Sequence, residues 1–205
     1  MYIPPAYQET DPARIRAFVQ GHSFGILVSK GNRFPMATHI PLEWYTENGI
    51  DYLVGHIAKA NAQWQDFKKQ PEVLAIFQGP HSYVSSSWYE SEEVPTWNYI
   101  AAHIQGQLIL MDETELMEHM VTMVNKYEAI AQHPVDLEKM SPKTLKQIRG
   151  VVGFKIKIEK CYGATKLSQT RSTSEQETIV DELRKLDDSG SQGIADAMDS
   201  RVKID

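Results

Sequence analysis

Between residues 23 and 58, three runs rich in β-branched and aromatic side chains are separated by two turn dipeptides, Gly31-Asn32 and Asn48-Gly49. Asn-Gly supplies the left-handed backbone of a two-residue hairpin, so this punctuation predicts strands over 23–30, 34–42 and 50–58, running as an antiparallel meander. Similar runs at 73–77, 83–89 and 96–111 add further strands. The core must then be built on a sheet. With 41% hydrophobic and 23% charged residues, the composition excludes disorder, collagen and a coiled coil. A chain of 205 residues buries roughly 70% of its unfolded surface and folds without staples.

Helices are expected around this sheet. Asp11-Pro12 opens one that carries Ile15, Phe18 and Val19 on a single face up to Gly21, and Asn61 caps another reaching Lys69. Asp112 and Glu115 form a capping box ahead of Leu116, Met120, Met123, Val124 and Tyr127, a stripe of helical period that predicts core packing. After Ser141-Pro142 a short helix ends near Gly150. Val152, Phe154, Ile156 and Ile158 then alternate with Gly153, Lys155, Lys157 and Glu159, giving a strand with one buried face and one wet, basic face. Ser174 and Glu177 predict a capping box for a helix over 174–186, followed by a polar break at 187–192 and a short tail that docks on a partner subunit or frays.

The single cysteine, Cys161, excludes an internal disulfide and any CxxC site, which points to a reducing compartment, the cytoplasm. No apolar run reaches the ~18 residues of a membrane span, and Met1-Tyr2-Ile3-Pro4-Pro5 lacks the pattern of a secretory signal. The net charge of −6 gives no overall attraction to nucleic acid. Locally, residues 139–171 hold nine Lys/Arg against one acid, Glu159. That stretch is either a set of solvated faces or a place to hold anions.

Phosphate loops of the GxGxxG and GxxxxGK[ST] kinds are absent, as are HExxH and GxSxG. Polar residues cluster instead at strand ends. Extending the Asn48-Gly49 hairpin sets Pro41 opposite His56 and makes His39 and His56 diagonal neighbours about 7 Å apart. Pro41 donates no ladder bond, which allows a bulge or slip there. Each histidine reads equally as a packed, hydrogen-bonded residue. Although His39, His56, His81 and His103 all fall in the strand region, no carboxylate or cysteine stands at matching spacing, and no metal site is expected. Lys59 and Asn61, where a strand runs into a helix, offer a cation and an amide to a phosphate, or else a solvated loop and a cap. Trp64 and Trp97 are candidates to flank a flat ring, or core residues.

In combination, Ala37-Thr38-His39-Ile40-Pro41-Leu42, Gly55-His56-Ile57-Ala58-Lys59-Ala60-Asn61, Val94-Pro95-Thr96-Trp97-Asn98-Tyr99 and Lys166-Leu167-Ser168-Gln169 resemble the PaiB family. This family is described as FMN-binding negative transcriptional regulators of protease synthesis and sporulation. Ala62, Ser86 and Thr170 depart from its pattern. The resemblance implies a mainly β (α+β) fold: an FMN-binding split β-barrel, similar to pyridoxamine-phosphate oxidase, with peripheral helices. It implies a domain over 1–168 with a helical insertion at 112–149, and a C-terminal helical extension over 169–205. FMN is the implied cofactor, held in paired sites at a homodimer interface.

By the same resemblance, Thr38, His39, Ile40 and Pro41 face the isoalloxazine ring, and His56, Lys59 and Asn61 lie near the phosphate. Trp97, Ser168, Gln169 and Arg171 come from the second subunit. The function so implied is a cytoplasmic FMN-binding repressor of protease synthesis and sporulation that works through a regulatory protein partner, direct DNA binding being disfavoured. The alternative is a flavin-dependent oxidoreductase or haem-handling enzyme of the same fold.

Overall fold

The computed structural model describes residues 1–202. In chain order its strands are β1 (Gln8–Glu9), β2 (Phe24–Ser29), β3 (Met36–Pro41), β4 (Glu43–Glu47), β5 (Ile50–Ala58), β6 (Glu72–Val84), β7 (Thr96–Leu110) and β8 (Val151–Lys166). The helices are α1 (Pro12–Gly21), α2 (Glu113–Glu128), α3 (Pro142–Leu145), α4 (Thr173–Arg184) and α5 (Ser189–Val202). Hydrogen-bonded neighbours follow the order β3-β2-β6-β7-β8-β5-β4, with β1 added to β8. The chain divides into two compact units, one of Met1–His22, Phe77–His103 and Cys161–Asp205, the other of Ser23–Ile76 and Ile104–Lys160. The boundaries fall inside β6, β7 and β8.

In the second unit Asn48 and Gly49 have φ of 51° and 78°, both left-handed, and close the tight β4–β5 turn. Trp44 pairs with Leu53 and Glu43 with Val54, the register the turn demands. The pairing stops there. Leu42 lies outside both strands, and β3 pairs with β2 instead, Ile26 facing His39, while His56 of β5 faces Gly153 of β8. The expected pairing of Pro41 with His56 therefore does not form. Pro41 has no N–H for a ladder, and the chain leaves the hairpin just beyond it.

The first expected hairpin is also looser than a two-residue turn, since Ser29 pairs with Met36 across residues 30–35. Gly31 is required in that loop, because a Cβ there would sit 2.2 Å from the Phe34 carbonyl oxygen. Leu27, Leu42, Leu53, Ile57, Phe67, Phe154 and Ile156 form the buried interior of this unit. Phe67 meets Phe154 edge-on at 6.0 Å between ring centres.

The helix capped by Asn61 is a short 3-10 turn, Ala62–Asp66. α2 begins with the expected Asp112/Glu115 capping box. Its stripe is only half-buried, however, with Tyr127 exposed, and the buried side chain is a histidine, His119.

In the first unit Gly79 and Pro80 sit within the continuous strand β6 rather than breaking it. α4 is capped by Ser172 with Glu175, two residues ahead of the expected Ser174 and Glu177. The polar break shrinks to a few residues before α5, because Asp188 accepts the Ser191 N–H and restarts the helix. The expected tail is thus largely helical. Ile194, Ala195 and Met198 of α5 pack with Ile179, Val180 and Leu183 of α4. Residues 203–205 of the expected extension lie outside the described residues.

Candidate functional site

β3 and the segment after β5 come together in the second unit through a side chain the sequence analysis passed over, Gln63. It is 1% exposed. Its Oε1 accepts from Thr38 Oγ1 at 2.5 Å, and Asn61 Nδ2 donates to the same Thr38 oxygen at 2.9 Å. Gln63 Nε2 donates to Ser29 Oγ at 3.0 Å and to the carbonyl oxygens of Leu27 and Met36. Asn61 Oδ1 accepts from the Gln63 N–H at 2.9 Å. The cap that places Asn61 therefore also delivers Gln63 into the interior, two residues on. Position alone could have flagged Gln63, but nothing in its spacing told a buried amide from an exposed one.

Asn61 places its carbonyl on the cap and one amide hydrogen on Thr38, so it orders the strand end. Lys59 is exposed, and its carbonyl accepts from Trp64 Nε1 at 2.8 Å. Trp64 thereby braces the Lys59 backbone rather than flanking an open ring surface. No ion pair holds the Lys59 ammonium among the described residues.

On β3, Thr38 and Pro41 are half-buried, Ile40 is buried and His39 is exposed. The His39 ring stacks on Phe24 at 6.5 Å, and Phe24 is 67% exposed. This aromatic partner was missed because Phe24 read as one more strand residue.

His56 meets a second histidine. Its Nδ1 lies 3.3 Å from Nε2 of His119 on α2, so one ring donates an N–H to the other. Burial lowers the His56 pKa. His119 is pushed down to about 4, first by burial and then by the neighbouring His56, against a smaller opposing pull from Glu43. Glu43 is itself engaged by Lys126 and Tyr127. Both rings are therefore neutral at pH 7 and tie α2 to β5. A buried histidine at the centre of a helix stripe gives no sequence signal of its own partner.

The first unit holds the other four candidates. Ser168 is buried, has a left-handed φ of 56°, and exchanges hydrogen bonds with Asn98, which donates to its Oγ at 3.0 Å. Gln169 is similarly spent: Nε2 donates to the carbonyls of Ala6 and Thr165, and Oε1 accepts from the Leu167 N–H. Both side chains support the chain after β8. Arg171 pairs with Glu93 at 3.1 Å and lies over the Tyr89 ring at 4.3 Å. Trp97 is 55% exposed, with Tyr83 edge-on at 6.0 Å. Arg171, like Gln169, is half-buried.

The residues present in the second unit fit a flavin. An exposed aromatic face on β2 and β3, an ordered polar strand end and a lysine without an ion pair among the described residues are the kinds of group that stack on a flat ring and hold an anion. Among the described residues no group of three or more His, Cys, Asp or Glu is placed to hold a metal. Among the described residues no helix is long and apolar enough to cross a membrane.

Fold and site together define a split-barrel protein of the flavin-binding kind. The fold is shared with the flavocytochrome Anf3 from Azotobacter vinelandii, at a TM-score of 0.61 and 16% identity over 78% of this chain and 69% of that one. It is also shared with the FAD and heme binding protein from Mycobacterium smegmatis, at 0.60 and 12% identity over 78% and 73%. The chain belongs to the PaiB family: residues 1–160 match the family model described as "Putative FMN-binding domain", and FMN is the cofactor this family defines. It is 40% identical, over 99% of both chains, to the protease synthase and sporulation protein PAI 2 of Bacillus subtilis (strain 168).

Proposed function

We propose that the chain is an FMN-binding, cytoplasmic homodimeric regulator that holds down protease synthesis and sporulation, acting through a protein partner. The observation that carries this reading is the end-to-end 40% identity to PAI 2. In this reading β3 presents Thr38, His39, Ile40 and Pro41 to the isoalloxazine ring, with Phe24 beside His39, and Lys59 holds the phosphate. Trp97 and Arg171 reach the flavin of the second subunit. Bound FMN would supply hydride and one-electron chemistry. The chain's own residues orient and shield it, the Gln63 network fixing the strand end from which Lys59 projects.

The route through a partner is supported by the fate of the basic stretch. Lys155 is neutralised by Glu115 at 2.6 Å, Arg171 by Glu93, and Lys139 by Asp136. Between residues 139 and 171 the α-helix is α3, four residues long, too short to read a major groove.

The test is complementation. Expressed in a Bacillus subtilis strain lacking PAI 2, the chain is expected to restore the lower extracellular protease level, and Lys59→Ala is expected to restore less. Unchanged protease, together with fast anaerobic reduction of its flavin by NAD(P)H, would instead make it a flavin oxidoreductase.

A further inference from the structure

A cavity of about 820 Å³ opens in the second unit among the start of α2, the α3 segment and the start of β8. Its walls are apolar: Met111, Leu116, Met117, Leu145, Ile148 and Val152. Lys59, Lys146 and Arg149 stand among its lining residues. None of the three has an ion-pair partner among the described residues, whereas Lys155 and Lys126 are both paired. Asp112 and Glu113 also line it. The Asp112 carboxylate is spent, accepting from the Thr114 and Glu115 N–H groups at the α2 terminus. Three free cations thus face one uncommitted carboxylate.

We propose that this cavity is a second small-molecule site, taking an amphipathic monoanion: a carboxylate borne on an apolar chain of medium length. The volume lies in the range of ligand pockets, a few hundred to about 1,000 Å³. Two methionines give a wall that adapts to a flexible chain. Lys146 and Arg149 bind the carboxylate, Arg149 with a planar fork of donors. The site does not rest on the flavin reading, since neither of those cations is used by it. The segment that carries them is fixed to β5, the Lys59 N–H donating to the Gly150 carbonyl at 2.8 Å.

The experiment is calorimetric titration of the full chain with decanoate below its micelle concentration, with and without saturating FMN. The neutral and cationic counterparts are 1-decanol and decyltrimethylammonium. Saturable decanoate binding, one per chain, is expected at least about tenfold tighter than either counterpart, as one charge-assisted contact provides. Lys146→Ala with Arg149→Ala should remove that preference while weakening FMN binding less than Lys59→Ala does. Both side chains are exposed, so the fold should survive. If it does not, Met117→Glu on the exposed wall should weaken decanoate by a similar factor. Equal binding of all three amphiphiles, or decanoate binding unaffected by the variants, would overturn the proposal. Abolition of decanoate binding by FMN would overturn it too, by making the cavity the flavin's own.

Discussion

Gln63 joins two backbone carbonyls and two side chains around one amide, so its removal strands several partners at once. Gln63→Ala is expected to cost about 2–4 kcal/mol in urea denaturation, through a cavity and unpaired buried polar groups. Flavin affinity should fall with it, because the Thr38 hydroxyl loses the Gln63 oxygen that accepts from it. His119 carries a pH dependence whose sign follows from its pKa. The folded state holds it near 4, below the ordinary 6.5, so between those values the unfolded chain binds more protons. Stability is then complete above about pH 6.5 and is lost as the pH falls toward 4, by about 2–3 kcal/mol. Denaturation midpoints measured from pH 4.5 to 7.5 should show this slope, and His119→Phe should flatten it. At this scale the sequence named Thr38, Lys59 and Asn61 but missed Gln63, Phe24 and His119. Their roles come from tertiary partners, and a single glutamine, phenylalanine or histidine in a periodic run does not disclose which neighbour it will meet.

Elements were more legible where local chemistry decides them. Asp112 with Glu115 marked the start of α2, and Asn48-Gly49 marked a turn whose register is the one observed. Legibility failed where a longer-range pairing overrode the local signal. Beyond Val54, β5 pairs with β8 rather than with β3, and Gly79-Pro80 is carried through β6 by its sheet neighbours. The Ser172 cap displaces Ser174 because both offer a Glu three residues on, and spacing alone cannot choose between them. The 30–35 loop gives a sharp test. Gly31→Ala must displace the Phe34 carbonyl and is expected to destabilise by about 1–3 kcal/mol, as overpacked sites do. Hydrogen exchange should show the loss at β2 and β3 first.

For the whole molecule, exposed aromatic side chains in each unit, Phe24 and Trp97 among them, are surfaces that a homodimer would cover. Light scattering is expected to give twice the chain mass, and a strict monomer at micromolar concentration would remove the shared-interface site. Regulation through a partner implies weak, nonspecific DNA binding that collapses with salt. The central claim, that the chain holds FMN with its phosphate on Lys59, is tested most directly by fluorescence titration of FMN and riboflavin into the native chain and Lys59→Ala. Tight FMN binding by the native chain is expected, weakened about tenfold or more by Lys59→Ala, with riboflavin unchanged. No FMN binding by the native chain, or an equal loss for both flavins, would contradict it.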